Sequence, residues 1–301
     1  MRVSDSQFNL LMTNAMMQNN VRLNKVAEQM ASGDKINHLS DDPAATVKLQ
    51  GLSKTISDNQ QYQNNISNVQ SSYDKYETYM NTLNEISMSV QDLLLQGKNG
   101  TLDAEMRNGI VTELESLKEE AITVLNTQHE GSYIFSGTKV DQPALVITTD
   151  DDGNSTYKLG GNDAHRHTNV GEGNSIQNNF TINDLMGSGS NFFVDLDAAI
   201  QEFKEPTDQF EETVSKALDT TQSTQVSVLN GIGILGSSYN TLDRMTQNSV
   251  DLELFATTVE TGLMELDYAQ ASVEFQQSMI AMQAAQKTYV NISGNSLFDL
   301  L

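Results

Sequence analysis

Cysteine and tryptophan are absent from this chain of 301 residues, and proline occurs only three times. The lack of cysteine excludes disulfide bonds, thiolate metal sites and a cysteine nucleophile. No segment approaches the roughly 20 consecutive apolar residues of a membrane-spanning helix, and the first residues lack the apolar run of a cleaved secretory signal. If the protein leaves the cell, we therefore expect a route that needs no cleaved signal.

Basic residues are scarce as well. The 17 Lys and Arg stand against 40 Asp and Glu, which gives a formal net charge of -23. This surplus of negative charge opposes binding to nucleic acid and to anionic membranes, so neither is an expected partner. The apolar share of 38% is below that of an average globular protein, which favours long solvated helices over a thick core.

An apolar stripe characterises the N-terminal segment. Its members recur at alternating steps of four and three residues, which places them on one face of a helix: Met12, Met16, Asn19, Leu23, Val26 and Met30. Ser32 and Gly33 should end this helix. A second helix is predicted to begin at Pro43, because Asp42 can cap it and proline is tolerated at the first helical position.

The second helix is predicted to continue to about Gln96, which is far longer than an ordinary globular helix. The residues from Gly97 to Gly100 indicate a turn, after which Thr101 can cap a third helix. Because long helices joined by a short turn pack side by side, these two helices should be antiparallel.

A middle stretch rich in Gly, Asn, Asp and Ser interrupts the helical pattern until about Phe192. Val146 to Thr149 can pair with Ser155 to Leu159 across an Asp-Gly-Asn turn, which predicts a β-hairpin. Tyr133 to Phe135 form another short β-prone run. We therefore expect a small β-containing insertion in this part of the chain.

A heptad pattern follows in the C-terminal part of the chain. Apolar residues recur there at every seventh position, with three further apolar residues beside them: Leu252, Val259, Leu266, Val273 and Ile280, flanked by Ala256, Leu263 and Ala284. A seam of this kind needs a partner helix.

These patterns together predict a mainly α fold. Both terminal regions would form a long antiparallel helical bundle or coiled coil, with a small β-containing inserted domain. Residues 1–40 and 263–301 would be terminal helices, 41–137 and 190–262 a long-helix bundle, and 138–189 a variable insertion. Such a chain doubles back on itself, so its two ends can meet.

Two groups of residues in the insertion could suggest a metal site. His165 and His167 lie near acidic residues, but their spacing matches no zinc signature. The stretch from Asp150 to Asn154 resembles the start of a calcium loop, but its glycine is misplaced and no bidentate Glu follows. A solvated loop and a hairpin turn explain both groups. No pattern typical of a catalytic centre is present, so we expect neither enzymatic activity nor a cofactor.

Two segments at opposite ends of the chain resemble one family. Glu28 to Gly33, followed by Ile36-Asn37 and Ser40 to Ala44, is similar to the first helix, turn and second-helix start of bacterial flagellins and their relatives. Ser278 to Gln286 and Ser296 to Leu301 resemble the flagellin C-terminal helix and its leucine-rich tail.

Two shorter motifs refine this resemblance. The Asp41-Asp42-Pro43 form of the turn and the run from Tyr133 to Thr138 are more similar to the flagellin-like hook-associated proteins of the hook–filament junction than to filament flagellin. The insertion carries no family motif.

The resemblance implies a structural subunit of the extracellular bacterial flagellum, exported unfolded by the flagellar type III pathway. The implied partners are other hook-associated proteins, flagellin, further copies of the chain in a ring or helical assembly, and an export chaperone that shields the C-terminal helix. The terminal helices would provide the assembly interface through Met12, Met16, Leu23, Val26, Met30, Leu266, Val273, Ile280, Ala284, Leu297 and Leu300.

Two other functions stay open from the sequence alone. The same terminal segments are expected of a filament flagellin. The acidic turn and the histidine pair of the insertion leave a soluble hydrolase or a calcium-binding module as a further alternative.

Isolated helices without a partner are marginally stable in water. We therefore predict that the amide hydrogens of residues 4–30 and 266–301 exchange faster in the purified monomer than those of the long-helix bundle. Hydrogen–deuterium exchange followed by mass spectrometry measures this difference. Strong protection of both ends would contradict the prediction.

Overall fold

The computed structural model describes residues 2–99, 103–149, 155–187 and 191–298, with the backbone alone described for residues 2–6, 99 and 292–298. The helices are α1 (Arg2–Ser32), α2 (Pro43–Asn99), α3 (Ala104–Leu125), α4 (Ile182–Met186), α5 (Asn191–Lys204), α6 (Phe210–Met264) and α7 (Tyr268–Phe298). The strands are β1 (Gln128–His129), β2 (Ser132–Tyr133), β3 (Leu145–Thr149), β4 (Ser155–Leu159), β5 (His167–Gly171) and β6 (Asn174–Gln177). The predicted mainly α fold with a small β-containing region is confirmed.

The chain divides into two compact units. Met1–Asp58 and Asp251–Leu301 form the first, here called the terminal unit, and Asn59–Val250 form the second, here called the central unit. No helix in the described ranges combines the length and the apolar character needed to cross a membrane.

Antiparallel helix pairs build the central unit. Lys98 Nζ of α2 donates to Ser215 Oγ of α6 at 2.9 Å, and farther back along α2 the Oδ1 atom of Asn84 accepts from Gln225 at 3.3 Å. As residue numbers fall along α2 they rise along α6, so these two helices run in opposite directions. Two ion pairs relate α3 and α5 in the same way, Glu115 with Lys204 and Lys118 with Asp197, both at 2.7 Å.

Three antiparallel hairpins, β1–β2, β3–β4 and β5–β6, make up the described β structure. The predicted pairing of residues 146–149 with 155–159 is confirmed, while its turn at 150–154 lies outside the described residues. Of the predicted run Tyr133 to Phe135, only Tyr133 belongs to a strand.

The hairpins share the core of the helices around them. Tyr157 of β4 and Val170 of β5 are buried in the same apolar cluster as the inner faces of α2, α3, α5 and α6, and so is Phe135 just after β2. The Tyr157 ring stacks on Phe193 of α5 with centroids 5.2 Å apart, and its hydroxyl donates to Asp197 at 2.5 Å. The β region is therefore anchored to the helices by both apolar and polar contacts.

The predicted turn at Gly97 to Gly100 is wrong over its described part, because α2 continues through Asn99. Gly97 faces α5, where a Cβ atom would lie 2.1 Å from the nearest ring carbon of Phe203. The glycine therefore permits close packing and does not mark a turn. Gly100 and Thr101 lie outside the described residues, and the cap of α3 is Asp103, whose Oδ1 accepts from Met106 N at 2.8 Å.

Gly97→Ala tests this packing. Alanine favours a helix over glycine by about 1 kcal/mol, but the clash with Phe203 should cost more and destabilise the central unit by about 1–3 kcal/mol. Urea unfolding followed by circular dichroism measures the change in the free energy of unfolding. Gly109→Ala in α3 is the matched control, because its added methyl group meets no atom within 4 Å, and it should stabilise by about 0.5–1 kcal/mol. A stabilising Gly97→Ala would contradict the packing role.

Candidate assembly surface

Two helix breaks in the terminal unit are joined to each other. Lys35 N donates to Met264 O at 2.6 Å, and Leu266 N donates to Gly33 O at 3.1 Å, so the end of α1 pairs with the break between α6 and α7. Gly33 has a φ of +83°, a conformation that glycine adopts without steric cost. The predicted heptad seam is therefore interrupted at residues 265–267 and does not continue as one helix.

The connection from α1 to α2 contains the motif by which the sequence resembles flagellins. Asp41 Oδ2 accepts from the backbone amides of Asn37 at 3.3 Å and His38 at 3.0 Å, and its Oδ1 pairs with Lys25 of α1 at 2.8 Å. The hydrogen bond from Lys25, together with those amides, holds the pKa of Asp41 below its usual range. One carboxylate thus closes the turn and ties it to α1.

The start of α2 agrees with the sequence prediction. Asp42 Oδ1 accepts from Ala45 N at 3.0 Å, so Asp42 caps the helix that Pro43 begins. Nearby, Ser32 Oγ donates to Asn37 Oδ1 at 2.9 Å, which links the last residue of α1 to the turn.

The helices α1 and α7 contact each other in an antiparallel arrangement. Tyr268 near the start of α7 donates its hydroxyl to Met30 O near the end of α1, at 3.3 Å. Farther along, Arg22 of α1 and Gln277 of α7 line one shallow depression. The predicted stripe is the sheltered face of α1: Val26 is 3% exposed, and the other predicted members are half-buried, namely Met12, Met16, Asn19, Leu23 and Met30.

The sheltered face of α7 differs from the predicted seam. It consists of residues that follow steps of four and three and are buried or half-buried: Ala271, Phe275, Ser278, Met282, Ala285 and Tyr289. Val273 and Ile280 are 53% and 66% exposed, and Ala284 is exposed too. The prediction chose bulky aliphatic residues, whereas this seam alternates small with large side chains, and small residues let two helices approach closely. Its four-three spacing was the sequence pattern that could have revealed it.

The remaining predicted residues have different positions. Leu266 is half-buried in the break between α6 and α7. Leu297 lies in the part of α7 whose side chains are not described, and Leu300 lies outside the described residues.

Both terminal helices also carry large apolar side chains on the face opposite the seam. We call these the outer apolar residues: Leu10, Met17 and Val21 of α1, and Val273 and Ile280 of α7, which are 53–69% exposed. Sequence analysis did not single out the α1 members, although their steps of seven and four place them on one face. A helix that is apolar on two opposite faces is typical of a buried helix, and one of these faces is left uncovered in the single chain.

The candidate metal ligands do not form a site among the described residues. His165 Nε2 lies 3.7 Å from a carboxylate oxygen of Asp184, and no group of three or more His, Asp or Glu side chains in the described ranges could hold a metal ion. The acidic stretch Asp150 to Asn154 lies outside the described residues.

Comparisons with known proteins give a consistent result. Residues 3–140 match the family model of the bacterial flagellin N-terminal helical region. The chain is 27% identical over 296 residues to flagellar hook-associated protein 3 of Escherichia coli strain K12, and 26% identical over 298 residues to that of Salmonella typhimurium strain LT2. Each alignment covers 92% of both proteins.

A solved structure from Vibrio parahaemolyticus, assigned to a flagellar hook-associated protein, is similar in both sequence and fold. It is 34% identical, has a TM-score of 0.69, and is matched over 100% of its length by 75% of this chain. The chain therefore belongs to the flagellin-like family of flagellar hook-associated proteins.

Proposed function

We propose that this chain is a structural subunit of the bacterial flagellum that connects the hook to the filament. The observation that carries this proposal is the second apolar face of α1 and α7. These helices use one face to pair with each other and present the outer apolar residues, which need a further partner. A subunit that joins neighbours on both sides needs a surface of this kind.

The proteins that are similar to this chain favour a junction role over the role of filament flagellin. The two curated relatives that match 92% of the chain are hook-associated proteins, and the Asp41-Asp42-Pro43 turn resembles theirs. Filament flagellin would elongate long filaments from seeds of the same protein. The junction subunit should not do so, and seeded growth followed by electron microscopy separates the two functions.

The partners and the route out of the cell belong to the same proposal. The neighbours of the subunit are other hook-associated proteins, flagellin and further copies of this chain, packed through the terminal unit. The chain travels unfolded through the flagellar type III pathway to the extracellular flagellum, and a chaperone covers the α7 region in the cytoplasm. This role requires no catalysis and no cofactor. The absence of cysteine suits it, since no disulfide can form between chains outside the cell.

A charged double substitution tests the outer face directly. In a strain that lacks the gene, we expect hooks without attached filaments and flagellin released into the medium. We expect the double variant Val273→Asp with Ile280→Asp to be exported normally in this strain. It should restore filament attachment to less than about a tenth of the level that the unchanged gene restores, because burying two unpaired carboxylates in an interface is strongly unfavourable. Swimming assays, electron microscopy and immunoblots of the medium provide the readouts.

The double substitution Gln286→Asp with Thr288→Asp is the matched control. It adds the same charge to exposed polar positions of α7 that are not three or four residues from Val273 or Ile280, and it should restore attachment. Full attachment with the Val273 and Ile280 variant would show that the outer face of α7 is not an assembly surface. Normal filaments in the deletion strain itself would overturn the junction role.

A further inference from the structure

One long stretch of α6 carries no charge, although the chain as a whole is strongly acidic. No Asp, Glu, Lys or Arg occurs from Thr220 to Leu242, between Asp219 and Asp243. Charged residues make up 19% of the chain, whose formal net charge is -23. A charge-free stretch of this length is expected in a helix that is buried on all sides. In the single chain, however, one face of this part of α6 is exposed.

The exposed face follows the helical repeat. Its members recur at alternating steps of four and three residues, and we call them the uncharged α6 face: Gln222, Val226, Leu229, Gly233, Gly236 and Asn240. Val226 and Leu229 are 51% and 48% exposed, and the neighbouring Ile234 is 57% exposed. Apolar side chains without charged neighbours are typical of the centre of a protein interface. This face differs from the outer apolar residues, because it belongs to the central unit.

Two glycines of this face are not explained by packing against the described part of the chain. Gly233 and Gly236 lie inside a helix, where glycine is less favourable than alanine. A Cβ atom at either position would meet no described neighbour within 4 Å. Gly231 on the buried side of α6 differs, because a Cβ atom there would contact Leu185 at 3.2 Å and Met80 at 3.4 Å. Since exposed glycines let a second helix approach closely, Gly233 and Gly236 indicate that a helix of another chain packs here.

A second uncharged face lies on α2. No charged residue occurs between Asp58 and Asp74. The exposed positions there again follow steps of three and four, and we call them the uncharged α2 face: Gln61, Asn64, Asn68 and Ser71. The other side of this segment is buried, and Ile66 there is 1% exposed. The amide and hydroxyl groups of the uncharged α2 face can form hydrogen bonds with the amides of Gln222 and Asn240 on the uncharged α6 face.

The two uncharged faces of one chain lie apart from each other. Gly231, in the middle of the charge-free stretch of α6, packs beside Met80 of α2. Ile66 marks the middle of the uncharged α2 face and is 14 residues from Met80. At the rise of an α-helix, this separation is about 21 Å along α2. The two faces of one chain therefore do not cover each other, and each is left for another chain.

We infer that the uncharged α6 face of one copy packs against the uncharged α2 face of the next copy. Copies of so acidic a chain repel one another, and this repulsion is weakest where both surfaces are uncharged. A basic partner would instead be attracted to the acidic parts of the surface. Because the two faces differ, the contact is heterologous and can repeat from copy to copy, as a ring or a helical assembly requires.

This inference rests on the proposed function. Only a few apolar side chains take part in the contact, so it is too weak to hold two free chains together. It forms where the flagellum already holds copies side by side, because their effective concentration is then high. A neighbour in the same orientation is shifted by about 20 Å along the helices, since the two faces lie at different heights.

The absence of cysteine allows a direct test in assembled flagella. Val226→Cys on α6 and Ser71→Cys on α2 place one thiol on each face of a chain that otherwise has none. Gln225 is hydrogen-bonded to Asn84, so the two thiols of one chain are about 20 Å apart, and a bis-maleimide of about 10 Å cannot join them. Isolated flagella that carry the double variant should give dimers, trimers and larger species of this chain on denaturing gels. Each single variant should give none of these species.

The outcomes separate this contact from its alternatives. Val226→Cys combined with Glu120→Cys is the matched control and should give no crosslinked species, because Glu120 lies on an exposed part of α3 outside both faces. Dimers from Val226→Cys alone would mean that α6 pairs with its own counterpart, and a product with a different protein would make that protein the partner. Either result would overturn the inference. So would the lack of crosslinked species in flagella that contain the double variant, a result that leaves the junction role intact.

A charged substitution provides a second measurement. In the double-cysteine chain, Gly233→Glu places a carboxylate on the uncharged α6 face and should lower the yield of crosslinked species roughly tenfold. Gly109→Glu in α3 is the matched control, because it makes the same change at another exposed helical glycine whose Cβ atom would meet no described neighbour within 4 Å. It should leave the yield unchanged. Equal yields from the two variants would contradict a contact at Gly233.

Discussion

Two backbone hydrogen bonds hold the chain ends of this protein together. They join Lys35 to Met264 and Leu266 to Gly33. A helix end leaves amide and carbonyl groups without partners, and those groups must be satisfied by another segment or by water. Here two helix ends satisfy each other, so α1 and α6 can both stop at the same place. The apposition of α1 and α7, and therefore every residue of the outer apolar face, depends on this pairing.

The terminal unit has much less buried apolar surface than the central unit. Among its described residues, the buried hydrophobic side chains are Val26, Ala256 and Ala271, two of which are alanines. The central unit instead buries whole aromatic rings, including Phe135, Phe193 and Phe203. Because stability follows the apolar area removed from water, α1 and α7 contribute little to the fold of a single chain. They are therefore the segments with the most to gain from contact with neighbours.

The sequence predicted the fold well wherever local chemistry decides the structure. The end of α1 at Gly33, the Asp42 cap and the Pro43 start of α2 each follow from a residue whose backbone or side chain favours one local conformation. The α1 seam was also predicted, since five of its six members are large and apolar.

The sequence predictions were wrong at positions where a contact with a residue far away in the chain determines the local structure. Gly97 has the residue type of a turn, yet the Phe203 ring more than a hundred residues away explains it. The α7 seam was not predicted because two of its members, Ala271 and Ser278, are small and not strongly apolar. Their small side chains allow α1 to pack closely against α7. The break at residues 265–267 has no proline or glycine, and it depends on hydrogen bonds to the α1–α2 connection.

The exposed outer face also limits how neighbours can bind. Burying a side chain such as Val or Ile contributes about 1.5–3 kcal/mol, while association itself costs an estimated 4–15 kcal/mol in lost freedom and ordering. A neighbour that covers one or two outer residues therefore offsets at most the lower part of this cost. Contacts that cover Leu10, Met17 and Val21 of one helix together with Val273 and Ile280 of the other offset several times as much. Since that surface is divided between α1 and α7, the terminal unit presents all of it to a neighbour only when its own two ends are already paired.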